Sequence, residues 1–187
     1  DLIHTNKIGV AHDSAAVLLK DGKVVAAIEE ERLNRIKHTN KFASRAIKFC
    51  LESVGARLSD LDQLAINFTE ETGRGDLISM LLRGGAVSSK LGLDASVDTS
   101  PRAMLRHLLQ HELGESLPDE RFTFVRHHLA HAISGFVPSG FDRALVVTWD
   151  GHGEDESGYV ATADKQGRFE LLRSTNVANS IGLLYTH

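Results

Sequence analysis

The chain has 187 residues, enough to bury a sizeable core, and one domain is the default at this length. Its net charge of −4 gives no basic footprint for nucleic acid, and no apolar run reaches the length of a membrane span. The single cysteine, Cys50, rules out a disulfide within the chain. Together with an opening DLIHTN that lacks the pattern of a secretory leader, it predicts a reducing, cytoplasmic setting.

Residues 8–11 and 15–19 read as two short strands. Asp21-Gly22 is a hairpin signal, and residues 24–28 read as the returning strand. His12, Asp13 and Ser14 lie in the connection between the first two strands, either a plain turn or a loop that presents groups to a ligand. The run Glu29-Glu30-Glu31-Arg32 then leads to Arg35, Lys37 and His38. Such a run is commonly a solvated face. It follows a strand, however, and Arg32, Arg35 and Lys37 together would suit a phosphate or carboxylate. The spacing of Ala43, Ile47, Cys50, Leu51 and Val54 predicts an amphipathic helix over residues 42–54, stopped by Gly55, with Cys50 as core packing. Residues 64–68 read as a strand. Residues 72–99 are irregular and glycine-rich and are expected to be a surface excursion, with one or two helical turns over 76–82. Ser100 and Pro101 begin a helix that runs to about Leu113 and ends at Gly114.

Residues 122–125 form a short strand leading into RHHLAHA at residues 126–132. A helix from His127 to Phe136 puts His127 and His131 on one face, with Cβ atoms about 5–6 Å apart. Residues 144–149 read as a buried strand with Asp150 at its end. Two imidazoles and a carboxylate meeting there would suit Fe, Zn or Mn, with open positions left over. A pair of histidines four apart also arises by chance in a chain with ten. His107 and His111 are the control: same spacing, no following acid, and placed opposite the apolar face of Met104, Leu105, Leu108 and Leu109. His128 points about 100° away from His127 and reads as a supporting residue. Gly151 and Gly153 beside Asp150 would let a backbone approach a phosphate, or else form an ordinary turn. Residues 157–163 and 168–172 predict a further hairpin. The last residues look like the start of a new apolar element, so a longer natural protein is expected.

The element order predicts an α/β fold with a mixed sheet, because the opening hairpin cannot be all parallel. There is no P-loop and no Rossmann glycine spacing. The helix also lacks the glutamate that a zincin places directly after its first histidine.

In order along the chain, HDSAA at residues 12–16, DGKVVAAIEEERLNRIKH at 21–38, HHLAHA at 127–132, DGHGE at 150–154 and SIGLLY at 180–185 resemble the O-carbamoyltransferases of the nodulation and antibiotic-tailoring type. The resemblance implies an actin/Hsp70-like (RNase H-like) nucleotide-binding fold. Residues 1–187 would be the N-terminal part of a Kae1-like catalytic domain, with 72–99 as an irregular insertion. It implies ATP-dependent transfer of a carbamoyl group from carbamoyl phosphate, through carbamoyl adenylate, to a hydroxyl of a small-molecule acceptor. The adenylate would form in a downstream YrdC-like domain, so the chain alone is not expected to carry the whole reaction. Carried over, His127, His131 and Asp150 are metal ligands, with Fe favoured over Zn or Mn, and a fourth ligand comes from further along the family's domain. His12 matches the general base and Lys37 the residue that holds the adenylate. Asp13, Arg32, Gly151 and Gly153 complete the candidate nucleotide- and substrate-binding set. Neither a membrane nor a nucleic-acid partner is expected. The alternatives are a threonylcarbamoyl transferase acting on tRNA, and a metal- and nucleotide-binding module without turnover. His152 has no assigned role.

Overall fold

The structure, a computed structural model, describes residues 13–39, 41–71, 98 and 100–184. The expected strand over 8–11, His12, and the expected helical turns over 76–82 lie outside the described residues. The chain divides into two compact units, one holding the described residues up to Leu64 and from Asp98 to Phe122, the other the remainder.

The first unit opens with β1 (Ala15–Lys20) and β2 (Lys23–Glu29), paired antiparallel. Asp21 and Gly22 both have positive φ, 51° and 75°, the two-residue turn whose twist matches its strands. The short helix α1 (Glu30–Asn34) follows at once and ends on Arg35 in the left-handed region. α2 (Ser44–Ser53) lies on both strands and buries Ala46, Cys50 and Leu51. Val54 stays exposed, because the helix ends one residue before it. α3 (Pro101–Leu113) supplies the densest part of this core, with Ala103, Met104, Leu105, Leu108 and Leu109 all buried. Its N-terminus is capped by Ser100, whose hydroxyl accepts from Ala103 N–H at 3.3 Å, and Gly114 ends it with φ 76°. His107 and His111 lie on its exposed side, as the control required.

β3 (Leu64–Ile66) and β4 (Phe122–Phe124) form a two-stranded sheet at the sequence boundary of the units. In the second unit, α4 (His127–Phe136) packs on a three-stranded antiparallel sheet of β5 (Arg143–Gly153), β6 (Glu156–Asp164) and β7 (Phe169–Asn176). His128, Ala132 and Phe136, spaced by four, face the sheet. Thr148, Tyr159, Ala161 and Ala163 are buried among the strand residues. A short helix, α5 (Ile181–Leu184), packs against β5.

Two expectations change here. The single mixed sheet is replaced, among the described residues, by three small sheets, and the β1–β2, β5–β6 and β6–β7 ladders are all antiparallel. The run at 144–149 is not a strand buried on both faces. Leu145, Val147 and Trp149 are 63%, 46% and 65% exposed, while the alternating residues turn inward. Nor does the strand stop at Trp149. It continues to Gly153 through an irregularity in which β5 advances from 149 to 153 while β6 moves only from 158 to 156. Asp150 therefore sits in a bulge rather than at a strand end, and bulges re-aim side chains.

Candidate metal centre

The helical period brings the two imidazoles together at the first turn of α4, with ring centroids 4.5 Å apart. The bulge brings Asp150 to meet them. His127 Nε2 lies 2.8 Å from Asp150 Oδ2, His131 Nε2 lies 3.3 Å from the same oxygen, and the two Nε2 atoms are 3.0 Å apart. All three residues belong to the second unit. Burial alone would raise the Asp150 pKa. The hydrogen bond from His127, the Gly151 N–H and the charges of the two imidazoles outweigh it, so the carboxyl is held below its usual range.

A divalent ion fits this set. Atoms bound at about 2.1 Å stand about 3.0 Å apart in adjacent octahedral positions and about 3.4 Å apart in a tetrahedron. Two of the three observed separations, 3.0 and 3.3 Å, fall in that range, and the third, 2.8 Å, is slightly shorter. The donor set, two imidazoles and a carboxylate on one side, suits Fe, Zn or Mn. The His131 side chain is half exposed, so the outward side is open to further ligands.

Supporting residues surround the three. Gly153 backs His127: a Cβ at this position would fall on the carbon atoms of the imidazole. His128 is 1% exposed beneath them. Thr148 Oγ1 accepts from Tyr159 N–H and lies 3.3 Å from His128 Nδ1, a hydrogen-bond distance. Burial lowers the His128 pKa, with the Glu156 main chain only partly opposing it, which favours the uncharged ring. Among the described residues its buried Nε2 has no hydrogen-bond partner.

The residue just before α4 anchors a second network. Arg126 pairs with Glu156 at 2.8 Å and lies 3.6 Å from Glu154, and the Tyr159 hydroxyl donates to Glu156 at 2.6 Å. Burial and then Glu156 push the Tyr159 phenol well above its usual range. Glu154 holds a left-handed φ of 63° and accepts the Thr69 N–H at 2.7 Å. Periodicity could not reveal this network. Its one signal was the glutamate that closes DGHGE.

The candidate binding residues of the first unit are placed differently. Asp13 Oδ1 lies 3.1 Å from His38 Nδ1, and His38 N–H donates to Glu31 Oε2 at 2.9 Å. Arg32 is engaged by Glu29 at 2.9 Å and lies 3.6 Å from Glu31, rather than standing with Arg35 and Lys37 as a bare cationic cluster. Lys37 is exposed. The Asp13–Glu31–His38 grouping was missed because a left-handed His38, φ 55°, is not legible in spacing. In the second unit Gly151 is half-buried and His152 exposed.

The fold and this centre define an α/β protein with a two-histidine, one-carboxylate site. Residues 6–84 match the family model described as "Carbamoyltransferase N-terminus". Nodulation protein NolNO of Sinorhizobium fredii is 42% identical over 187 residues, covering 98% of this chain and 26% of that protein. An uncharacterized protein of Synechocystis, sll1178, is 32% identical over 97% of this chain and 31% of its own length. An uncharacterized 19.2 kDa protein of Rhizobium etli is 54% identical over 59 residues, 34% of its length. The chain thus spans about a quarter to a third of the curated relatives it matches. Over residues 6–84 it carries a match to the carbamoyltransferase N-terminal domain, and along nearly its whole length it is similar to NolNO.

Proposed function

We propose that this chain supplies the metal-bearing part of an ATP-dependent O-carbamoyltransferase. The convergence of His127, His131 and Asp150 in a chain that carries the carbamoyltransferase N-terminal domain is the observation that supports it most. The reading assigns an actin/Hsp70-like fold to the whole domain. The acceptor is a hydroxyl of a small molecule, and the donor is carbamoyl adenylate made from carbamoyl phosphate and ATP. A bound divalent ion, Fe first, would supply electrostatic stabilisation of negative charge on a carbamoyl or phosphate oxygen.

The chain's own residues do the rest. His12 takes the proton of the acceptor hydroxyl as its oxygen attacks the carbamoyl carbon and AMP leaves. Lys37 and Arg32 offset negative charge on the phosphate. Asp13 holds His38 at the edge of the same loop. Gly151 leaves room for a close main-chain approach, while Gly153 gives its space to the His127 ring.

The test is transfer from synthetic carbamoyl adenylate by the full-length protein, with metal content measured in parallel. His127→Ala and Asp150→Asn should lose both metal and transfer. His12→Ala should keep the metal and lose transfer by about 10²- to 10⁴-fold. Undiminished transfer by His12→Ala removes His12 as the base, and undiminished transfer by metal-free His127→Ala removes the metal from the reaction.

A further inference from the structure

The Asp150–His152 bulge poses a problem of support. Ladder pairing holds β5 at Trp149 and again at Gly153, but not between them. The carbonyls of Asp150 and Gly151 therefore need partners elsewhere, and the main chain that carries the third candidate ligand needs something to lie against. Both come from one turn, 30 residues further along. Ser180 Oγ lies 2.9 Å from Asp150 O and 2.7 Å from Gly151 O, a hydroxyl proton shared between two carbonyls. The same oxygen accepts Leu183 N–H at 3.1 Å, which ties it to α5. Gly182 then lies directly on the bulge. A Cβ there would come within 2.6 Å of Gly151 N and closer still to the Asp150 carbonyl carbon and oxygen. Its φ is outside the left-handed region, so the backbone would accept another residue. What requires glycine is the contact alone.

We propose that the Ser180–Gly182 turn is a positioning seat for Asp150, setting where its carboxylate meets His127 and His131. This rests on the reading of those three residues as a metal centre. Ordinary carbon contacts lie at about 3.5–4.0 Å, so a methyl at position 182 must displace the Asp150 main chain by on the order of 1 Å. Metal ligands tolerate only about 0.2 Å. Gly182 and Ser180 touch no metal. They act through Asp150.

The experiment is titration of the 187-residue chain with Co²⁺, read by calorimetry and by the ion's visible absorption bands. Wild type should bind with 1:1 stoichiometry, and Asp150→Asn should not. Gly182→Ala and Ser180→Ala should each weaken binding by about 10- to 100-fold, the usual cost of losing a residue behind a ligand, and shift the bands. Ser180→Thr, which keeps the hydroxyl, should restore both. Gly135→Ala, on the same helix as the histidines but with nothing within 4 Å of its added Cβ, should match wild type. If Gly182→Ala does not fold, the Ser180 pair decides. Wild-type affinity and bands in Gly182→Ala and Ser180→Ala would overturn the seat and leave the metal reading standing. No saturable binding by wild type would remove the metal reading, and the seat with it.

Discussion

Glu30 carries a carboxyl group to a place where the residue is 2% exposed. There it accepts the Ala46 N–H, at 2.8 Å, in the first turn of α2, whose own flanking residue, Ala43, has no side-chain acceptor. Removing it strands a buried donor, so Glu30→Ala should cost about 1–3 kcal/mol. At about 2–4 °C per kcal/mol, the loss is readable in a thermal melt. Burial raises the Glu30 pKa above 4.5, with the Ala46 bond and Arg45 only partly opposing it. The sign follows: above that ordinary value the unfolded chain releases a proton that the folded chain still holds. The stability of wild type relative to Glu30→Gln should therefore fall as pH climbs from 4.5 through the raised pKa, and then level off. Identical pH profiles for the two proteins would show that the group is not strained. The sequence offered Glu29 to Arg32 as a solvated face because a charge run does not reveal which neighbouring helix lacks a cap. Cys50 was legible: an apolar stripe predicted burial, and the thiol is 3% exposed with its pKa raised by that burial. It should react with a thiol reagent only after denaturation.

At the scale of elements, α3 was written almost completely into the chain. Ser100, Pro101 and Gly114 mark its ends by chemistry that acts within a few residues. Ser100→Ala should cost about 1 kcal/mol, measured by denaturant unfolding. The start of α4 and its two faces were equally readable, because the period of 3.6 separates His127 and His131 from His128 and Ala132. β5 was not. Its sequence is apolar enough to look buried throughout, and the residues that cover only one face lie elsewhere in the chain. Its bulge depends on register with β6, which no local pattern encodes. Gly153 illustrates the same limit. Its place beside Asp150 left a phosphate approach or a plain turn open, and the structure sets the glycine against the His127 ring.

At the scale of the molecule, the three candidate ligands all lie in the second unit. An ion bound there stabilises by mass action, about 2.7 kcal/mol at a free concentration one hundred times Kd. Saturating metal should therefore raise the melting temperature of wild type, and a chelator should reverse it. His131→Ala should flatten the response. An unchanged melting temperature for wild type would argue against a bound ion. The division into two units, and into three small sheets among the described residues, was beyond the sequence reading, since strand partnership is a long-range property. The resemblance was legible because its signature lies in short stretches, and residues 6–84 match the carbamoyltransferase N-terminal domain.

Trp149 is the only tryptophan in the chain, it is largely exposed, and it immediately precedes Asp150. The protein thus contains its own optical reporter, one peptide bond from the candidate ligand. A solvated indole emits at long wavelength, and a paramagnetic ion bound at the neighbouring residue quenches it. Occupancy at Asp150 should be visible as dimming of native fluorescence, without any label.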